Sequence, residues 1–344
     1  MQTTSRVLIT GLIFAILAVT ACISSAPPPS GVQPTPALTT VRVGYAPLIS
    51  NAPFFIAKEE GFFARQGIDA ELIKIQTGAE MIPVLVNGDI AAGGVGVTAS
   101  LINSVSKGGR VRIVADKGRA TPNQTCAIMG LMVRRDLIAS GAVTSASDLK
   151  GKKIMSTSED YRLYRILSRG NLTVDDVEVV KMDFASGVVA LQNGAVDAAD
   201  LGEPFITRAL DSNAAVMFIP IEEYAPDYPT PLLYGTAFLD KDPELGRRFM
   251  VAYLEGVRQY NLGKTERNIE ILSNYTQLDR DLLMRSCWVQ IAGDGYLPPR
   301  PVREYIDWMY ANKQITQKPD DDMLFDMSYI QYANGVLGNA TGTG

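Results

Sequence analysis

An apolar helix that ends at a glycine and is followed by a small-residue strand occurs twice in this chain, and this repeat constrains the fold most. Residues 84–92 read VLVNGDIAA, and residues 190–199 read ALQNGAVDAA about a hundred positions later. A glycine directly after a helix is typical of a left-handed C-terminal cap. The repeat predicts two units of similar build, although such junctions resemble one another in any α/β protein.

Strands and helices are predicted to alternate in both units. In the first, residues 41–45 and 68–75 read as strands, and Pro53 suits the first turn of a helix between them. In the second, a strand at 150–155 precedes a helix at 161–167. This order predicts an α/β fold with two lobes and a ligand cleft between them. Loops at the carboxyl ends of the strands line such a cleft, and here they are residues 46–54, 96–100, 156–164 and 202–205.

The N-terminus reads as a bacterial lipoprotein signal peptide over residues 1–21. Arg6 is its only charge, residues 7–19 are apolar, and the small residues Thr20 and Ala21 precede Cys22. Cys22 is therefore predicted to carry a lipid, with residues 22–40 as a tether rich in Ser, Pro and Thr. The alternatives are an uncleaved anchor and a plain secretory signal. All three interpretations place the domain outside the cytoplasm. A lipid on Cys22 would hold it at the outer face of the cell membrane.

Composition excludes several classes of function. Without residues 1–21 the chain carries 31 basic and 37 acidic residues, a balance that argues against a nucleic-acid partner. The sequence has no histidine, which removes histidine-based nucleophile activation and histidine-ligated metal sites. No tight cluster of carboxylates replaces it, so we expect no metal, no other cofactor and no enzymatic activity. Cys126 and Cys287 could form a disulfide or remain as two small buried residues.

Seven short segments together resemble one family. They are VRVGYAP at 41–47, FFIAKEEGFF at 54–63, GID at 67–69, NGD at 87–89, DLKGKK at 148–153, NGAVDA at 193–198 and EPF at 203–205. Their order and spacing resemble the solute-binding proteins of ABC importers for nitrate, sulfonates, taurine, thiamine-type pyrimidines and riboflavin. The resemblance covers roughly residues 41–340.

The resemblance implies a type II periplasmic-binding fold. One lobe would contain residues 41–130 and 236–344, and the other residues 131–235, with the two crossover strands near 130–134 and 233–238. It also implies a small-molecule ligand, a membrane permease and a separate ATPase as partners. The chain has no phosphate-binding GxxxxGK[ST] motif of its own.

The candidate ligand-binding residues come from the cleft loops and their flanks. They are Tyr45, Asn51, Phe54, Thr98, Ser100, Glu159, Asp160, Tyr161, Tyr164, Glu203 and Tyr234. The acidic pair at 159–160 would repel an anion if it faces the cleft, and the loops at 46–54 and 202–205 contain no cation. Aromatic side chains and neutral hydrogen-bonding groups suit a flat heteroaromatic ring instead.

We therefore expect a heteroaromatic vitamin as ligand, with riboflavin favoured and a thiamine-precursor pyrimidine as the alternative. A sulfonate, taurine or nitrate ligand is a further alternative, which a cation in the cleft would favour. A small-molecule enzyme on the same fold is the alternative from a different class, and only fold-level analogy supports it. Two of the assignments have structural alternatives: the acidic pair could point to water, and Glu203 could be a structural hydrogen-bond acceptor.

Overall fold

The computed structural model describes residues 37–75, 77–120, 126–157, 161–226 and 228–338. The predicted signal peptide, Cys22, most of the tether and the acidic pair Glu159 and Asp160 lie outside these residues. No helix in the described ranges has the length and apolar character that crossing a bilayer requires.

The described residues contain strands from both predicted units. The strands are β1 (Thr39–Tyr45), β2 (Ile68–Lys74), β3 (Ala92–Gly94), β4 (Arg112–Arg119), β5 (Met129–Arg134), β6 (Lys153–Ser156), β7 (Glu178–Lys181), β8 (Ala198–Gly202), β9 (Ala215–Pro220) and β10 (Pro229–Tyr234).

Helices pack around these strands and continue after the last strand as far as Leu337. They are α1 (Ala52–Glu59), α2 (Phe62–Arg65), α3 (Gly78–Asn87), α4 (Ala99–Ser106), α5 (Arg135–Ala139), α6 (Tyr161–Ser168), α7 (Phe184–Gln192), α8 (Phe205–Asp211), α9 (Ile221–Tyr224), α10 (Pro243–Tyr260), α11 (Glu266–Thr276), α12 (Arg280–Arg285), α13 (Pro299–Ala311), α14 (Asp321–Leu324) and α15 (Ser328–Leu337). Single 3₁₀ turns lie at Ile49–Asn51, Ala146–Leu149 and Val174–Asp176, and a π-helical turn at Ala237–Lys241.

The strands form two five-stranded sheets with the same topology. The first has the order β2-β1-β3-β10-β4, and the second β7-β6-β8-β5-β9. In each sheet the fourth strand runs antiparallel to both neighbours, β10 in the first and β5 in the second. These are the two strands that follow the crossings between the sheets. The predicted α/β fold with two similar units is therefore confirmed.

The internal repeat occupies equivalent positions in the two sheets. Gly88 after α3 and Gly194 after α7 both adopt positive φ, of 79° and 74°. The strands that follow, β3 and β8, are the third strands of their sheets. One boundary differs from expectation, because β10 pairs in the first sheet although the expected boundaries placed residues 229–235 in the second lobe. The return to the first sheet comes a few residues earlier.

The core beside the first sheet includes the long helix α10, which packs on α1 and α15. This packing corrects two predicted ligand contacts. Phe54 is fully buried with its ring 5.4 Å from that of Tyr253 in α10. Tyr234 is also fully buried and donates its hydroxyl hydrogen to the carbonyl of Gly246 at 2.9 Å. Both side chains belong to the helix-facing core, because α10 covers the side of the sheet on which they lie.

Candidate ligand-binding site

A buried lysine lies near the carboxyl end of β4, beside the turn that follows β1. Lys117 is 2% exposed, and its Nζ donates to the hydroxyl of Ser50 at 2.8 Å. Gly94, at the end of β3, leaves space for this side chain. A Cβ on Gly94 would lie 2.1 Å from Cδ of Lys117, which is closer than real atoms approach. The absence of a side chain at Gly94 therefore fixes the path of Lys117.

Lys117 has no anionic partner in the part of the chain that the structure describes. Its neighbour Asp116 has a carboxylate that is used elsewhere: one oxygen accepts the N–H of Gly118 at 3.0 Å and the other that of Ala292 at 2.8 Å. Burial lowers the pKa of Lys117 to about 8, against a smaller opposing effect of Asp116. The ammonium group is thus buried, and its pKa lies near 8. No carboxylate of the described residues contacts it.

Asn51 lies next to Ser50 in the same 3₁₀ turn and is fully buried. Its Nδ2 donates to the carbonyl of Ala46 at 2.9 Å. Its Oδ1 is buried and has no hydrogen-bond partner among the described residues. A Cβ on Gly94, which would clash with Lys117, would also lie 3.1 Å from this Oδ1. Lys117 and the carbonyl oxygen of Asn51 therefore lie against the same face of Gly94.

The second sheet contributes a buried ion pair. Arg162, in the first turn of α6, is 5% exposed, and its Nη2 lies 3.2 Å from an oxygen of the fully buried Asp200 in β8. The same guanidinium donates to the sulfur of Met129 at 3.1 Å and lies 5.5 Å from the ring centroid of Tyr228. The positive charge of Arg162 is therefore balanced by Asp200.

Tyr228 lies between the Gly94–Gly96 segment and Arg162. Its hydroxyl oxygen would lie 3.0 Å from a Cβ at Gly96, in the loop between β3 and α4. Its ring centroid lies 5.5 Å from the guanidinium of Arg162, in α6, which pairs with Asp200 of the second sheet. The Gly94–Gly96 segment thus has Lys117 at one end and Tyr228 at the other, so the two buried cations belong to one region between the sheets.

Aromatic rings cover the start of α6. The ring of Tyr161 lies 4.8 Å from that of Tyr305 and 5.2 Å from that of Trp308, and Tyr164 lies 4.9 Å from Trp308. Tyr305 and Trp308 belong to α13, which an ion pair between Arg303 and Asp321 joins to α14. Because α14 packs on α4 and β4 of the first sheet, this aromatic cluster is a contact between the two halves of the fold.

The structure separates the predicted site residues into groups. Asn51, Tyr161 and Tyr164 lie in the region just described. Thr98 caps α4 by accepting the N–H of Leu101 at 3.2 Å, and Ser100 follows it, half-buried, in the first turn. Tyr45 is half-buried and packs edge-on against Phe55 at 5.1 Å.

Glu203 has its carboxylate occupied within the protein. One oxygen accepts the Thr207 hydroxyl at 2.9 Å and the Cys287 N–H at 3.0 Å, and the other accepts the Thr207 N–H at 3.1 Å. Burial raises the pKa of this carboxyl. These contacts give Glu203 the structural role that the sequence left as an alternative. Cys287 also forms a disulfide with Cys126, which resolves the pairing left open by the sequence.

Sequence reasoning missed the two buried cations. Arg162 lies within the 156–164 segment, but the adjacent acidic pair dominated the interpretation of its charge. Lys117 lies inside a strand rather than in a loop, and its charged neighbours Asp116 and Arg119 give no sequence signal that it is buried. Within the described residues no group of three or more Cys, Asp or Glu side chains has the arrangement of a metal site.

Comparisons with known proteins agree with this architecture. A putative binding protein of Brucella abortus is 27% identical over 247 residues, covering 70% of this chain and 72% of the relative. The bicarbonate-binding protein CmpA of Synechococcus elongatus is 25% identical over 250 residues, covering 65% of this chain and 55% of CmpA. The crystal structure of the periplasmic nitrate-binding protein NrtA from Synechocystis PCC 6803 is similar with a TM-score of 0.69 at 16% identity, covering 88% and 90% of the two chains.

A family assignment rests on the match to a family model. Residues 49–261, more than half of the chain, match the family described as NMT1/THI5 like. The matched segment begins at the 3₁₀ turn that holds Asn51 and extends to the end of α10, so it contains both sheets except β1. The chain belongs to the NMT1/THI5-like family.

Proposed function

We propose that this protein is the solute-binding component of an ABC importer and that its ligand is a small anion bound at Lys117. The observation that carries the proposal is the buried ammonium group of Lys117, which no carboxylate of the described residues contacts. Burying an unpaired charge is costly unless an opposite charge joins it. An anionic ligand between the sheets supplies that charge.

The local charge balance supports an anion over a neutral solute. Arg162 lies 3.2 Å from the carboxylate of Asp200, whereas Lys117 contacts no carboxylate of the described residues, so its positive charge is available to a ligand. The relatives agree in chemistry, since the names of CmpA and NrtA specify bicarbonate and nitrate. Both of these are small monovalent oxyanions.

A heteroaromatic ligand is the second candidate. The rings of Tyr161, Tyr164, Tyr228, Tyr305 and Trp308 surround the start of α6 and could bind a flat ligand such as riboflavin or a pyrimidine. The original argument for riboflavin, however, depended on a cleft without cations. Lys117 removes that premise, and the described rings contact one another.

A binding experiment separates the two candidates. The purified protein is titrated calorimetrically with nitrate, bicarbonate and methanesulfonate in a sulfonate-free buffer, and with riboflavin by quenching of flavin fluorescence. We expect at least one anion to bind, and Lys117→Met to weaken it roughly 100-fold because a charge-assisted contact is lost. Lys107→Met, at an exposed lysine of the first unit, is the matched control and should bind normally. Riboflavin binding without anion binding would overturn the proposal.

The remaining parts of the proposal concern the location of the protein, its partners and the boundaries of its two lobes. We place the protein at the outer face of the cell membrane through a lipid on Cys22, where it delivers its ligand to a permease powered by a separate ATPase. Residues 41–130 with 236–344 would form one lobe and residues 131–235 the other, apart from β10. Cys22→Ser should release the protein from the membrane fraction. Unchanged membrane attachment of that variant would argue for an uncleaved anchor.

A further inference from the structure

The carbonyl oxygen of Asn51 is a buried acceptor that the described protein leaves unused. Asn51 is fully buried, and its Oδ1 has no hydrogen-bond partner among the described residues. Buried polar side-chain atoms nearly always have a partner, so an exception needs an explanation. The position of this oxygen beside Gly94 and the stem of Lys117 suggests that the partner is a ligand.

The orientation of the amide follows from its other end. Nδ2 of Asn51 donates to the carbonyl of Ala46 at 2.9 Å. If the amide were turned by 180°, two carbonyl oxygens would face each other, because the amide oxygen can only accept. The oxygen therefore points toward Gly94 and presents an acceptor, not a donor, next to the buried cation.

An acceptor beside a cation sets two requirements for whatever binds there. The ligand must be negatively charged to balance Lys117, and it must carry a hydrogen-bond donor to satisfy Asn51. A fully deprotonated oxyanion meets the first requirement but places a lone pair against Oδ1. An oxyanion with its own O–H or N–H meets both.

We infer that Asn51 is a specificity-determining residue, which selects among small anions those that carry their own hydrogen-bond donor. This inference rests on the proposed function, because it assumes that an anion occupies the space beside Lys117. Sites built to hydrogen-bond one group of a ligand reject analogues that lack it, since a buried polar atom is then left unpaired.

Bicarbonate and nitrate are a matched pair of probes. Both are planar, trigonal, monovalent oxyanions of similar size, and bicarbonate differs by one O–H group. We expect the wild-type protein to bind bicarbonate roughly 10- to 100-fold more tightly than nitrate, the range that one unsatisfied buried acceptor accounts for. Calorimetry at pH 7.5 in a sulfonate-free buffer gives both dissociation constants.

Two variants assign the preference to a residue. Asn51→Leu replaces the amide by an apolar group of similar size, and we expect it to reduce the bicarbonate-to-nitrate ratio at least about fivefold. Ser50→Ala is the matched control, since it removes the hydroxyl that contacts Lys117 and leaves Asn51 in place. It should weaken both anions by a similar factor. Asn51→Ala serves if the larger replacement does not fold, as judged by thermal melting.

The outcomes separate this inference from the proposed function. If both anions bind equally well to the wild type in a Lys117-dependent way, or if the ratio is unchanged in the Asn51 variants, the specificity role is refuted and the anion site stands. If neither anion binds, or if Lys117→Met binds them normally, the proposed function fails as well. A preference for bicarbonate that disappears only with Asn51 supports the inference.

Discussion

Replacing the buried lysine should make this protein more stable while it weakens anion binding. Burial lowers the pKa of Lys117 from 10.5 to about 8. Since one pKa unit corresponds to about 1.4 kcal/mol, folding with a charged Lys117 at neutral pH costs about 3 kcal/mol. Lys117→Met removes the charge at similar side-chain volume, so the free energy of unfolding should rise by up to about 3 kcal/mol.

Thermal melting of ligand-free protein at pH 7 measures this change. In a chain of this size 1 kcal/mol shifts Tm by about 2 °C, so the variant should melt roughly 5 °C higher. Ser50 loses its hydrogen-bond donor, but it is half-buried and water can replace the contact. Lys107→Met should change Tm by little, since that lysine is exposed. A Tm of Lys117→Met below that of the wild type would refute the reasoning and indicate that the lysine stabilises the fold.

The pH dependence provides a second check with a defined sign. The folded-state pKa of Lys117 lies below the unfolded-state value, so the unfolded chain binds more protons between pH 8 and 10.5. The stability of the wild type should therefore gain relative to Lys117→Met as pH rises through this range. The difference between the two proteins is largest below pH 8 and closes toward pH 10.5. A difference that is constant with pH would exclude an electrostatic origin.

Two further substitutions test the surroundings of the lysine. Gly94→Ala places a Cβ 2.1 Å from the stem of Lys117. It should displace the lysine and weaken anion binding at least roughly tenfold. Gly335→Ala is the control, because open space surrounds that position, and its calorimetric affinity should be unchanged. Asp200→Asn removes the carboxylate of the buried pair with Arg162 and should lower the free energy of unfolding in urea by about 3 kcal/mol. A normal affinity for the first variant or a loss below about 1 kcal/mol for the second would contradict these assignments.

The sequence predicted the fold because the signals for it are local. A glycine at positive φ follows α3 and another follows α7. Each of these helix ends can be predicted from a few neighbouring residues. The position of β10 could not be read in this way. Its antiparallel pairing with β3 and β4 joins segments far apart in the chain, and nothing within residues 229–234 specifies which sheet they enter.

The site was predicted in part for the same reason. The rule that ligands bind at the carboxyl ends of strands selected Asn51 and Tyr161, which the structure places near the region between the sheets. It failed for Phe54, and Tyr234, which lies outside the four loops, is also in the core, because whether an aromatic residue faces the cleft or α10 depends on tertiary packing. Lys117 was missed since a lysine in a strand is usually solvent-facing, whereas both faces of β4 are covered here.

Three local features that each reduce stability or room for packing meet beside the first turn after β1. Within the residues that the structure describes, Lys117 is a buried cation without a contacting anion, and Asn51 holds a buried acceptor without a donor. Gly94 is a strand glycine with no space for a side chain. Each could be removed by one substitution to a common residue. Natural sequences tend to violate folding preferences at functional sites, where the ligand compensates. A donor-bearing anion would balance the charge of the lysine and satisfy the acceptor together, while the glycine leaves the space that the stem of Lys117 fills, so binding of a single ligand accounts for all three.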